Sequence, residues 1–113
     1  VYRTKRSGHV TSKMRYQSAQ LLAYLTDDLW LHNARNANER MADLAAGLRT
    51  AGVRITNPVD ANLAWMDLPE ETADRLEAAG VLFHRLGGQV RFVTSWQTTA
   101  EEISTVLDLL GGA

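Results

Sequence analysis

Two adjacent glycines, Gly87 and Gly88, separate the run VLFHRL from the run QVRFVT. Two glycines can supply the positive φ angles of a tight two-residue turn, and both flanking runs contain the β-branched and aromatic residues typical of strands. The sequence therefore predicts an antiparallel hairpin here. Thr99 and Glu102 follow the hairpin with the spacing of a capping box, which predicts a last helix that ends at Gly111 and Gly112.

Two helices are predicted before the first strand. Residues 12–25, SKMRYQSAQLLAYL, are rich in helix formers, with apolar positions near spacings of three, four and seven. The tripeptide TDD at 26–28 predicts a break with an N-cap option. A longer apolar periodicity then continues to Gly52, which is placed to end the second helix as its C′ residue.

Two further strands and a third helix are predicted between Gly52 and the hairpin. The candidate strands are Val53 to Ile55 and Asn62 to Leu68. Pro69, predicted at the first helical position, begins a helix that closes at Gly80.

The element order predicts an α+β fold. Two helices are followed by β, β, α, β, β, α, an order that favours helices packed on a small, largely antiparallel sheet. We expect a single domain over residues 1–113, with a basic arm at 1–11, two helices at 12–51 and the ββαββα unit at 52–113. The arm is expected to be poorly ordered or held by a neighbour.

The strand from Leu63 to Leu68 is apolar on both faces. Leu63 and Trp65 alternate with Ala64, Met66 and Leu68. A sheet with one face in water should instead alternate apolar and polar residues. The helices can cover one face, and two interpretations of the other stay open: it faces a missing domain or subunit, or the strand is buried on both sides within this domain.

Charge is unevenly distributed along the chain. Five basic residues precede the first acids, Asp27 and Asp28, and they are Arg3, Lys5, Arg6, Lys13 and Arg15. The net charge of -1 nevertheless argues against a general attraction for nucleic acid or anionic membrane.

The absence of cysteine excludes disulfides and thiolate zinc sites and is compatible with a reducing compartment, so we expect a cytoplasmic protein without a metal site. No apolar run approaches the roughly 18 residues of a membrane span, and the first residue, Val1, fits either a processed product or a piece of something longer.

Three segments together carry a family resemblance. They are KRSGHVTSKMRYQSAQLLAYLTDDLW, HNARNANERMADLAAGLRTAGVRITNPVDAN and VRFVTSWQTTAEEI. Over essentially the whole chain, their order and spacing resemble the C-terminal small domain of low-specificity threonine aldolases and their phenylserine-aldolase-like relatives. These are pyridoxal-phosphate enzymes of the aspartate-aminotransferase fold type.

The resemblance implies roles for particular residues. Arg91 matches the family's arginine that binds the substrate α-carboxylate, a task suited to a planar fork that makes two parallel bonds. Arg6, with Lys5, matches a basic pair, and Arg15 matches the arginine that follows it; these residues are expected near the cofactor phosphate or the active site, within one subunit or across a subunit boundary. The stretch SGHVTSKMRY departs from the family's glycine run and is longer by about two residues.

The family's cofactor-binding lysine lies upstream of the segment that this chain matches. Lys13 follows the family's N-terminal basic segment and is therefore not that lysine. We expect no catalytic residue in this chain, a separate large domain that binds pyridoxal phosphate, and no activity of the 113 residues alone.

The implied reaction is cleavage of a β-hydroxy-α-amino acid, such as threonine, allo-threonine or phenylserine, to glycine and an aldehyde. A homo-oligomer, dimer or tetramer, is the implied assembly, with neither nucleic acid nor membrane as partner.

Three alternatives stay open: another lyase or aminotransferase of the same fold type, a nucleic-acid-binding module that stacks bases on Tyr2 and Tyr16, and a plain oligomerisation domain anchored by tryptophans. The candidate anchors are Trp30, Trp65 and Trp96.

Overall fold

A computed structural model describes residues 1–10 and 12–111 of the chain. Thr11, counted in the basic arm, and Gly112, expected to end the last helix, lie outside the described residues. The helices are α1 (Tyr2–Arg6), α2 (Arg15–Leu25), α3 (Leu29–Thr50), α4 (Glu70–Ala78) and α5 (Ala100–Gly111), and a 3₁₀ turn at Thr26–Asp28 separates α2 from α3. The strands are β1 (Arg54–Ile55), β2 (Leu63–Asp67), β3 (His84–Leu86) and β4 (Gln89–Val93).

The chain divides into two compact units, Val1–Leu31 and His32–Ala113. The first unit contains α1, α2 and the 3₁₀ turn. No sequence pattern indicated α1, and α2 begins at Arg15 rather than at residue 12. The predicted break is present, because Asp27 and Asp28 have φ angles of +52° and +57°, a left-handed conformation that aspartate tolerates and that ends a helix.

The second unit contains a four-stranded antiparallel sheet in the order β1-β2-β4-β3. The predicted hairpin joins β3 to β4, and its turn residues Gly87 and Gly88 have φ angles of +59° and +81°. The α+β fold predicted from the sequence is confirmed.

Local signals set the ends of the helices in this unit. Gly52 follows α3 with a φ of +79°, and the N–H of Val53 donates to the carbonyl of Leu48 at 2.9 Å, as in a Schellman motif. The capping box of α5 is reciprocal: Thr99 N–H donates to Glu102 Oε2 at 2.8 Å, and Glu102 N–H donates to Thr99 Oγ1 at 3.2 Å. The placement of Pro69 at the first helical position was wrong by one residue, because its ψ of 141° makes it the N-cap of α4.

The core lies between the helices and one face of the sheet. Residues from α3, α4, α5, β2 and β4 form one buried cluster: Met41, Leu44, Leu48, Ala64, Met66, Ala73, Leu76, Val90, Phe92 and Ile103. Burial of Ala64 and Met66 with the helices identifies their side of β2 as the inner face. The opposite side of the sheet is therefore the side on which a ligand or partner could be bound.

Candidate functional site

The opposite side of the sheet, here called the outer sheet face, mixes charged and apolar side chains. Because alternate residues of a strand point to opposite sides, the pairing register assigns to it Arg54, Leu63, Trp65, Asp67, His84, Leu86, Gln89, Arg91 and Val93. Leu63 and Trp65 are half-buried, and Leu86 and Val93 are 62% and 53% exposed. The interpretation in which β2 is fully buried on both sides within this domain is therefore wrong.

Arg91 occupies the middle of the outer sheet face. It lies on β4 directly opposite Trp65 of β2, and on its other side it lies opposite His84 of β3. Its Cζ atom is 5.6 Å from the centroid of the Trp65 ring. The Nε atom of Arg91 is buried and has no hydrogen-bond partner among the described residues.

The other two arginines of the sheet are neutralised by carboxylates. The guanidinium of Arg54 contacts the Asp67 carboxylate at 2.6 Å, and that of Arg85 contacts Asp74 at 2.7 Å and Glu77 at 2.9 Å. No ion pair to Arg91 is present among the residues that the structure describes. A half-buried guanidinium without a counter-charge is a place where a carboxylate ligand can bind, because a carboxylate offsets the charge and can accept two parallel hydrogen bonds from the guanidinium.

Asp67 is the acidic residue on this face, and its charge is engaged elsewhere. Gln89 Nε2 donates to Asp67 Oδ1 at 3.1 Å, and Arg54 Nε donates to Asp67 Oδ2 at 2.7 Å. These hydrogen bonds, first that of Gln89 and then that of Arg54, hold the pKa of Asp67 below its ordinary value. The carboxylate is thus ionised and bound by two neighbours, neither of which is Arg91.

A shallow depression of about 270 Å³ adjoins Arg91. It is lined by Leu82, Phe83, His84, Arg91 and Val93. Arg91 is the charged group in this lining, so the depression can hold a small anionic group on an otherwise largely apolar surface.

The loop after β4 is firmly attached to α3. The buried hydroxyl of Thr94 donates to the carbonyl of Ala37 at 2.6 Å. Asn36 Nδ2 donates to the carbonyls of Trp96 and Thr98 at 3.1 and 3.0 Å. These bonds fix the end of β4, and with it the strand that carries Arg91.

The basic residues predicted near the cofactor lie in the first unit. Lys5 and Arg6 belong to α1, and Arg15 begins α2. All three are exposed and make no ion pair among the described residues. Arg15 lies over the ring of Tyr16, with its Cζ 5.1 Å from the ring centroid. The structure thus brings Lys5 and Arg6 together on one helix, whereas Arg91 belongs to the other unit.

Metal-binding clusters and membrane-spanning helices are both absent from the part of the chain that the structure describes. No group of three or more His, Cys, Asp or Glu side chains there could hold a metal ion. None of the helices described is both long and apolar enough to cross a membrane.

Sequence reasoning missed the pairing of Trp65 with Arg91. Trp65 was recognised only as an apolar strand residue and a possible oligomer anchor. The sequence does show that Trp65 lies in the middle of an apolar strand. Which residue lies opposite it depends on the register between β2 and β4. These strands are joined by the 21 residues between Asp67 and Gln89. No local pattern specifies a register over such a connection.

Comparison with known proteins gives one consistent set of relatives. The chain is 39% identical over 106 residues to the low specificity L-threonine aldolase of Pseudomonas aeruginosa, and 34% identical over 102 residues to that of another Pseudomonas species. These matches cover 90% and 86% of this chain but only 30% and 29% of the relatives, so the chain spans about a third of their length. No family model matches the chain.

Solved structures share the fold. A structure of Leishmania major threonine aldolase superposes with a TM-score of 0.82 at 22% identity, covering 96% of this chain and 33% of that one. A serine palmitoyltransferase from S. paucimobilis with a bound PLP–myriocin aldimine superposes with a TM-score of 0.56 at 22% identity, covering 69% of this chain and 23% of that one.

Proposed function

We propose that this chain, which is homologous to the C-terminal part of low-specificity L-threonine aldolases, serves as the small domain of a pyridoxal-phosphate-dependent aldolase. The proposed substrates are β-hydroxy-α-amino acids of the threonine, allo-threonine or phenylserine type. The proposed products are glycine and an aldehyde. The proposed location is the cytoplasm.

The observation that carries this proposal is the state of Arg91. Its buried Nε has no partner among the described residues, and no carboxylate of the described sheet neutralises it. An α-amino acid presents a planar carboxylate, and a guanidinium fork can bind it with two parallel charge-assisted hydrogen bonds. We assign to Arg91 the role of holding the substrate carboxylate and so orienting the bond to be cleaved.

The basic residues of the first unit fit the anionic part of the cofactor. Pyridoxal phosphate, when bound, supplies an electron sink for the negative charge left by cleavage of the Cα–Cβ bond. Lys5, Arg6 and Arg15 are exposed donors without acidic partners in the described chain, and such donors suit a phosphate group. We assign them to the cofactor phosphate or its surroundings, in the same protein or in a neighbouring subunit.

We further propose that residues 1–113 act as one small domain, with the basic arm at 1–11, two helices at 12–51 and the ββαββα unit at 52–113. In this proposal the catalytic lysine belongs to a large domain outside this chain. The chain's own contribution is therefore binding and orientation.

The experiment that tests the function uses the full-length protein. It is incubated with pyridoxal phosphate and each of threonine, allo-threonine and phenylserine, and the released glycine and aldehyde are quantified. Release of both products in equal amounts supports the proposal. Amino-group transfer without aldehyde release would instead favour an aminotransferase of the same fold type.

The 113-residue chain alone is expected to form no stable covalent adduct with pyridoxal phosphate. Lys13 is exposed, so its ammonium group lies in water, where desolvation does not lower the cost of losing a proton. The chain is titrated with the cofactor, reduced with borohydride and analysed by mass spectrometry, with the full-length protein treated in parallel. A stoichiometric adduct at Lys13 together with aldolase turnover would contradict the proposal that the catalytic lysine belongs to a large domain outside this chain.

The first unit presents an unusual amount of apolar surface. Every described residue from 1 to 30 is exposed. Large apolar side chains among them are Tyr16, Leu21, Leu22, Tyr24, Leu25, Leu29 and Trp30, each between 41% and 70% exposed. Monomers seldom leave such a set uncovered. We propose that this surface docks on the large domain of the same enzyme and lies close to a subunit boundary of a homodimer or homotetramer.

Isolated from the large domain, the 113-residue chain is expected to self-associate through α2. Replacing Leu21, Leu22 and Leu25 together by glutamine should shift it towards the monomer, because these side chains are 60%, 70% and 58% exposed. Sedimentation velocity over a range of concentrations measures the change. Leu82→Gln is the matched control, since Leu82 is 93% exposed but lies in the other unit. A chain that is monomeric at all concentrations would argue against the docking surface.

A further inference from the structure

We infer that Trp65 is a positioning residue for Arg91: its indole ring holds the guanidinium in the orientation that binds the substrate carboxylate. This inference rests on the proposed function of Arg91. It adds a residue that acts through Arg91 and that needs no contact of its own with the substrate.

The sheet register brings the two side chains together. Trp65 and Arg91 are directly opposed on the antiparallel strands β2 and β4, so their side chains leave the same face side by side. The Cζ atom of Arg91 is 5.6 Å from the centroid of the indole ring. This distance lies within the roughly 6 Å at which a guanidinium is attracted to an aromatic face.

Trp65 itself is held on the side of β2 away from Arg91. Its backbone N–H donates to Asn57 Oδ1 at 2.6 Å, and its carbonyl accepts from the N–H of Thr56 at 2.8 Å. These bonds extend the short β1 pairing to the position of Trp65. The ring is therefore attached to a strand that is fixed on both sides.

Arg91 needs such support because no carboxylate among the described residues orients it. Arg54 and Arg85 are each aligned by acidic partners, whereas Arg91 has none among the described residues. A long side chain without a partner loses rotamer freedom when a ligand binds, which weakens the binding. An aromatic surface that already restricts the guanidinium reduces this loss while leaving the hydrogen-bonding edge free.

The alternative neighbour does not supply this support. His84 is opposite Arg91 from β3, but it is exposed, and no hydrogen bond or ring contact joins it to Arg91 among the described residues. The half-buried face of Trp65 is thus the surface that can restrict the guanidinium.

The test compares Trp65→Leu and Trp65→Phe in the full-length protein loaded with pyridoxal phosphate. Trp65→Leu removes the aromatic face, and glycine affinity measured by calorimetry should fall roughly three- to thirtyfold, the loss expected for a cation–π contact. KM for the substrate should rise by a similar factor with a smaller change in kcat. Trp65→Phe retains an aromatic face and should recover most of the affinity, which a purely structural role for bulk would not predict.

Two controls make the result specific. Leu86→Ala removes apolar surface from the same face at a position opposite Gln89, away from Arg91, and should leave glycine affinity unchanged. In an Arg91→Ala background, Trp65→Leu should have little further effect, because the two residues act as one unit. If Trp65→Leu does not fold, Trp65→Met serves as the variant that keeps apolar bulk without the ring.

The outcomes separate this inference from the proposed function. If Arg91→Ala leaves glycine affinity unchanged, the assignment of Arg91 fails and the inference fails with it. If Arg91→Ala weakens binding but Trp65→Leu, or Trp65→Met in its place, binds glycine as the wild type does, only the positioning role is overturned. Equal losses in Trp65→Leu and Trp65→Phe also overturn it.

Discussion

Replacing Arg91 by alanine in the full-length protein is expected to weaken binding of the amino-acid substrate by about 2–5 kcal/mol, the cost of truncating one partner of a buried charge pair. Arg91→Lys should also weaken binding, because lysine keeps the charge but lacks the planar fork. Substrate affinity and kcat/KM measure the loss. The absorbance of the bound cofactor should stay normal in both variants, since Arg91 is assigned to the substrate.

A matched control is present on the same sheet. Arg54 is an outer-face arginine whose side chain is 78% exposed and paired with Asp67. Arg54→Ala should leave substrate affinity close to that of the wild type, because its charge is already neutralised by a surface ion pair. Unchanged kinetics in Arg91→Lys and Arg91→Ala would remove Arg91 from the site.

Replacing Leu48 by alanine is expected to lower the free energy of unfolding by about 2–5 kcal/mol, the range for truncating a large buried aliphatic side chain. Leu48 is 0% exposed, and it lies in the cluster that joins α3 to the sheet and to α5. The lost methyl groups leave a cavity that such a cluster can refill only partly. Denaturant unfolding followed by circular dichroism measures the change.

Leu82→Ala is the control for that experiment. Leu82 is 93% exposed, so the same substitution should change the free energy of unfolding by about 0.5 kcal/mol or less. A similar loss in both variants, or a loss for Leu48→Ala below about 1 kcal/mol, would contradict the position of Leu48 in the core.

The parts of the fold that were predictable are those whose signals are local. The turn at Gly87 and Gly88, the capping box of Thr99 and Glu102, and the C′ glycine at Gly52 each depend on residues a few positions apart. The backbone angles and hydrogen bonds of each motif involve only residues close together in the chain, so the sequence alone indicates them. The helix α1 has no such signal, since it lacks an apolar periodicity and a side-chain cap.

The site was predictable only in part. A family resemblance pointed to Arg91, and the structure places it on a face that the helices of its own unit leave open. The roles of Lys5, Arg6 and Arg15 stay predictions, because they rest on the family resemblance and these side chains are exposed. Trp65 was not recognised as a neighbour of Arg91, because the register of β2 on β4 is set by packing.

The sequence by itself determined the order of the elements from α2 to α5 and the positions of the hairpin turn, the capping box and the C′ glycine, because turn geometry, capping and apolar periodicity act over short stretches of chain. Only the tertiary structure decided which side chains meet. Thr94 reaches the carbonyl of Ala37 across 57 positions, and Trp65 meets Arg91 across 26. Such contacts depend on how the sheet packs on its helices. That packing lowers the free energy of the folded chain because it buries the apolar inner face of the sheet. The position of Arg91 beside Trp65, without an ion pair to the described residues, is therefore a property of the fold.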